Sequence, residues 1–256
     1  IFGGGTSVIE GIKSGLFDQL KDKFTVGLNY SHHFINTTFL MYVDETFADD
    51  QKYFLERLPL VIGMEPTGVL LNRPNIIGLP ATTEYCRDCR KGIYQASLVG
   101  LFALSFMIHV LDEGEIFLLG YDYGAQKGSG GQRAYDPQGK ALTHWYQYGD
   151  IKSIYTGEKQ QILHRGIGRV NWYEATHMDE KSQKRITRAE HEFMPYRDEK
   201  KVSIHNVSID SRIDMFPKIS YNQFFGMLDK QTYAQDILRK EVADKAVALR
   251  ERLQRD

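Results

Sequence analysis

The first seven residues carry the densest chemistry in the chain. Ile1-Phe2, followed by Gly3, Gly4, Gly5, Thr6 and Ser7, reads as a strand end turning through glycines into a helix, with Thr6 or Ser7 as its cap. Such a turn lets backbone amides approach a ligand. The helix N-terminus behind it offers unpaired N–H groups to an anion, phosphate above all. Tight strand-to-helix turns also need glycine for their own geometry. The dinucleotide fingerprint GxGxxG is not met, because Val8 stands where its third glycine would fall, and no Walker lysine follows.

Four further clusters stand where short apolar runs stop. Asn29 follows residues 24–28 (FTVGL), and Asp44-Glu45 follows residues 38–43 (TFLMYV). Gly120-Tyr121-Asp122-Tyr123 follows residues 115–119 (EIFLL), and Asn206-Val207-Ser208 follows the strand expected over 202–205. The Asp44-Glu45 pair reads as a helix cap or as a ligand for a divalent metal. Beyond Tyr123 the chain is rich in Gly, Tyr, Gln and His up to about residue 184. A segment of that length leaving a strand end is expected to act as a lid or substrate-binding insertion. It holds His144, His164 and His177, with Trp145, Tyr146 and Tyr148 as a stacking surface or plain packing. The stretch His164-Arg165-Gly166-Ile167-Gly168-Arg169 joins an imidazole, two cations and flexible glycines. That combination suits a general base beside a phosphate clamp, or belongs to a solvated loop.

The elements that must position these residues follow from patterning. Residues 24–28, 38–43, 58–62 and 68–71 are short and apolar on both faces, as buried parallel strands are. Residues 92–111 predict a deeply buried helix, apolar nearly all round, and residues 115–119 the central strand. Alternation of helix and apolar strand indicates an α/β fold, a Rossmann-like mostly parallel sheet with helices on both faces. One domain over 1–225 is expected, the lid insertion occupying 124–184, with a C-terminal helical extension over 226–256. A polar helix is read near 186–197. Residues 231–254 carry Leu238, Val242, Ala246, Leu249 and Leu253 on one stripe, an amphipathic helix at the surface or against a partner chain in a homo-oligomer. In an open parallel sheet ligands bind outside the C-terminal strand ends, so all five clusters are expected on one rim.

Composition narrows the function further. With 256 residues and 32 Lys+Arg against 33 Asp+Glu, the net charge of −1 argues against a broad phosphate-facing surface and hence against nucleic acid as a partner. No apolar run approaches the ~20 residues of a membrane span, and no basic-then-apolar leader opens the chain. Two cysteines make no disulfide framework, which places the expected setting in a reducing cytoplasm. Cys86-Arg87-Asp88-Cys89 is a lone CxxC without the further ligands of a structural zinc. It reads as buried or free thiols, with a redox pair as the other possibility. His109 reads as a histidine packed in the core.

The glycine-turn-Ser start, GLNYSHHF (27–34), SLVGLFALSFMIHVLDEGEIFLLGYDY (97–123) and VSIHNVSIDSRIDMFPKI (202–219) together resemble the sialyltransferase-like Rossmann group. That group includes bacterial sialyltransferases using CMP-sialic acid and the related 6-hydroxymethylpterin pyrophosphokinase-like family. The resemblance covers residues 1–123 and 186–219. It implies that Gly4, Gly5, Thr6 and Ser7 meet the phosphates or ribose of a nucleotide-activated sugar and that Asn29 hydrogen-bonds the nucleotide. It further implies that Asp44 faces the donor, that Tyr121 and Asp122 lie beside base or ribose, and that Asn206 and Ser208 close the site. The turn here reads GGGTS where those relatives carry a GxGPS-like turn. A second reading is Mg²⁺-dependent pyrophosphoryl transfer from ATP to a pterin-like alcohol, with Asp44 and Asp122 on the metal. A third is a nucleotide- or sugar-binding protein without turnover.

Overall fold

Residues 1–66, 73–96, 98–122 and 191–255 are described in a computed structural model of the chain. Apolar runs become strands where both of their faces find cover. Four form one parallel ladder in the order β1 (Val26–Leu28), β2 (Phe39–Tyr42), β3 (Val61–Met64) and β4 (Ile76–Leu79). A short parallel pair, β5 (Ala81–Thr82) with β6 (Ile93–Tyr94), leads on to a longer one, β7 (Gly114–Leu118) with β8 (Val202–Asn206). Phe2 joins the ladder to the longer pair. It bridges Gly27 on one side and Leu119 on the other, both in parallel sense, and its N–H donates to Val26 O at 2.8 Å. The order across is therefore β8-β7-Phe2-β1-β2-β3-β4. The chain moves outward from Phe2 through β4, then returns to build β7 and β8 on the opposite side. That reversal puts a topological switch point where the Phe2 segment and β7 end side by side.

Successive strand residues face opposite sides of the sheet. Phe39, Met41, Ile62, Ile77 and Leu79 share one cluster with buried residues of α4 (Val99–Val110) and α6 (Gln235–Leu253). Leu40, Tyr42, Val61 and Ile76 meet Phe47, Ala48 and Leu55 of α3 (Glu45–Leu55) on the other side. There too, Phe2 and Leu119 pack with α1 (Val8–Lys13), Leu16 at the start of α2 (Leu16–Gln19), and Tyr221 and Phe224 of α5 (Tyr221–Met227). The fold is thus mixed α/β, with a parallel sheet between helices.

Several expectations need correction. The helix read over 92–111 starts only at Val99. Gly92 has φ +115 and the N–H of Ile93 donates to Pro80 O at 2.8 Å, which turns the preceding residues into β6. The run at 68–71 lies outside the described residues; the strand beside β3 is Ile76–Leu79, which follows Pro74-Asn75. The stripe of the C-terminal helix, expected at the surface or against a partner chain, is covered in part by this chain. Val242, Ala246 and Leu249 are buried against this chain's own sheet, Arg239 Nε donates to Thr38 O at 2.9 Å, and Lys245 Nζ donates to Val110 O at 2.6 Å. The lid at 124–184 lies outside the described residues, as does the start of the helix read at 186–197; from His191 the chain passes through a 3-10 turn, Met194–Tyr196. Among the described residues no helix is long and apolar enough to cross a membrane.

Candidate functional site

The glycine turn and the end of β7 lock together backbone to backbone. Gly3 N–H donates to Leu119 O at 2.7 Å and Gly5 N–H to Gly120 O at 2.8 Å. A Cβ on Gly5 would stand 2.4 Å from Asp122 Oδ2 and 2.6 Å from Gly120 O, and one on Gly3 would stand 2.7 Å from Gly120 O. These two glycines are therefore required by the approach of two protein segments, whatever ligand arrives. Gly4 is different. It is half-exposed, and its N–H, like that of Thr6, makes no hydrogen bond among the described residues.

Asp122 engages Ser7, a residue expected to meet a ligand. Its buried carboxylate accepts the Ser7 N–H at 2.8 Å and the Ser7 hydroxyl at 2.5 Å, and Ser208 hydrogen-bonds it as well. Ser7 sits at the N-cap position of α1 but makes no side-chain cap bond; its hydroxyl is spent on Asp122. Burial pushes the Asp122 carboxyl above the usual range, against the pull of Ser7 and Ser208. The donors of the turn are thus divided: Gly5 and Ser7 are satisfied internally, while Gly4 and Thr6 stay open to a ligand anion.

Tyr121 leaves β7 at the predicted place, but its ring turns inward. It is 1% exposed, its hydroxyl donates to Gly100 O at 3.1 Å, and a Cβ on Gly100 would stand 2.9 Å from the ring. Only its backbone reaches the rim. Asn206, fully buried, braces that backbone from β8: Nδ2 donates to Tyr121 O at 3.3 Å and to Ser211 Oγ at 2.9 Å, while the Ser211 hydroxyl donates to Tyr121 O at 2.6 Å. Asn206 accordingly ties the ends of β7 and β8 together, while Ser208 meets Asp122. Ser211 is a brace that no sequence pattern marked.

On the other side of the turn, Asn29 ends β1 with a left-handed backbone, φ +49, and its Oδ1 is buried without a hydrogen-bond partner among the described residues. Parallel register carries Gly4 level with Asn29, since Phe2 pairs with Gly27. Ser31 Oγ and His32 Nε2 are likewise buried and unpartnered, while His32 Nδ1 meets Asn29 O at 2.8 Å. Burial first, and the neighbouring His33 second, lower the His32 pKa to about 4. Asp44 occupies the N-cap position of α3, makes no side-chain cap bond and is exposed, so the capping role is not taken up. Unpaired polar groups of this rim thus lie on the Gly4–Asn29–Asp44 side, and the buried Oδ1 of Asn206 on the β8 side is a further one. Among the described residues no three His, Cys, Asp or Glu side chains form a metal-holding group. His164 and Arg165 lie outside the described residues.

No family model, no curated protein and no solved structure matches the chain. The site rests on its own geometry.

Proposed function

We propose that the chain is a nucleotide-dependent transferase, a glycosyltransferase similar to the CMP-sialic-acid enzymes, built on a Rossmann-like domain and working in the cytoplasm. The observation that carries this reading is the set of unpaired polar groups at the switch point: the Gly4 and Thr6 amides beside the orphaned carboxamide oxygen of Asn29. In this reading those two amides meet a phosphate of the donor. Asn29 takes an N–H of the base or a ribose hydroxyl, and the free Asp44 carboxylate accepts further hydroxyls. His164 removes the acceptor hydroxyl proton, and Arg165 offsets the negative charge on the departing phosphate. Both are assigned from their place in the lid. The Mg²⁺–ATP alternative ranks second because the oxygens of Asp122 already accept hydrogen bonds from Ser7 and Ser208.

Thermal unfolding with CMP, CTP, UDP, GDP and ATP, each with and without Mg²⁺, tests the reading. CMP or CTP without metal should raise the Tm by several degrees, since a ligand at ~100 times its Kd stabilises by about 2.7 kcal/mol. Asn29→Ala should remove that rise. Stabilisation by ATP with Mg²⁺ alone favours pyrophosphoryl transfer, and silence throughout overturns the nucleotide reading.

A further inference from the structure

Cys86 and Cys89 sit well away from the glycine rim. The cavity they line lies beside the residues that open β7 and β8, at the sheet's other end; its volume is about 130 Å³, and its walls include Tyr85, His109, Tyr196 and Lys201. The two cysteines are the corners of one hydrogen-bonded turn, with Cys89 N–H donating to Cys86 O at 3.0 Å. A turn of this kind keeps its end Cα atoms within ~7 Å, and a disulfide spans about 4.4–6.8 Å. Both thiols are free. Cys86 is the more exposed and donates to Asp88 Oδ1 at 2.9 Å; Cys89 is buried and held left-handed at φ +57, which opens a second turn closed by Gly92 N–H on Cys89 O at 2.9 Å. The loop is anchored from outside, since Arg252 of α6 donates to Asp88 O at 3.0 Å.

We propose that Cys86 and Cys89 form a reversible dithiol–disulfide site, oxidised by exchange with a low-molecular-weight disulfide of the glutathione type. Cys86 Sγ, as thiolate after losing its proton to solvent, attacks one sulfur of the small disulfide. A Cys86–S bond forms, the small molecule's S–S bond breaks, and the outgoing thiolate takes up a proton. Cys89 then loses its proton and attacks Cys86 Sγ. The Cys86–Cys89 bond forms, the mixed disulfide breaks, and a second small thiol leaves. The protein dithiol is oxidised by two electrons and the small disulfide is reduced to two thiols. The order follows from access, because Cys86 borders solvent and Cys89 does not. Burial also pushes the Cys89 thiol up to about 11, which disfavours it as the first nucleophile.

The test is to equilibrate the full chain in glutathione buffers of graded redox ratio, quench with an alkylating agent and measure intact mass. The expected product is the chain less two hydrogens, unalkylated, and restored by dithiothreitol. Cys89→Ser should stop at a glutathione adduct on Cys86, and Cys86→Ser should stay unmodified while folded. In urea, where the turn is lost, wild-type disulfide formation at a given buffer ratio should fall at least about fivefold. A wild-type chain that stays reduced across the series, or that stops at the mixed disulfide, overturns the proposal. So does equal formation in native and urea-unfolded chains. The wild-type arms decide the matter even where a serine variant fails to fold.

Discussion

At the start of α1, Asp122 accepts the Ser7 N–H that the helix would otherwise leave unpaired. Asp122→Asn keeps an acceptor for that N–H and should shift stability by less than ~1 kcal/mol. Asp122→Ala leaves Ser7 and Ser208 unpaired in a buried site and should cost about 1–3 kcal/mol, read from urea midpoints. His32 supplies the pH prediction. Its folded pKa is lowered from 6.5 to about 4, so the unfolded chain binds the proton more tightly. Stability present above about pH 6.5 is then lost as pH falls toward about 4, by up to ~2 kcal/mol, and His32→Gln should lack that part of the slope. Urea titrations of both chains at about pH 4.5 and about pH 7.5 measure it. At this scale the sequence marked Gly5, Asn29 and Asp122 as belonging to strand ends. It could not show that Asp122 would turn back on Ser7, because a carboxylate paired within the chain and one facing a ligand look alike in a string of residues.

Elements were legible where apolar runs were flanked by polar punctuation, as around β1, β2, β7 and β8. Two features escaped for physical reasons. IIGL at β4 is only four residues long and acquires strand character from pairing with β3. The apolar stretch before α4 keeps helical periodicity in its letters, yet the positive φ at Gly92 and the pairing of Ile93 with Ala81 divert it into β6. For α6 the stripe was visible and its partner was not, since periodicity says that a face is buried without saying by what. The same helix therefore offers a contrast. Leu249, buried at 2%, should cost about 2–4 kcal/mol as Leu249→Ala, whereas Ile237, 60% exposed, should change stability by less than ~0.5 kcal/mol as Ile237→Ala. Chemical denaturation of the two variants checks both. Similar costs at the two positions would mean that α6 does not dock as described.

At the scale of the whole molecule, strand order decides where chemistry can sit. The two directions of winding part between Phe2 and β7, and the unpaired donors and acceptors described above gather beside that parting. The same order has a consequence for how the chain is made. Phe2 lies at the middle of the sheet, yet the neighbour that closes its far side, β7, is synthesised more than a hundred positions later. The cover for β4 and α4 comes later still, with α6. Until then the growing polypeptide exposes a greasy half-built surface, so this sheet should depend on chaperones during synthesis until α6 has cleared the exit tunnel.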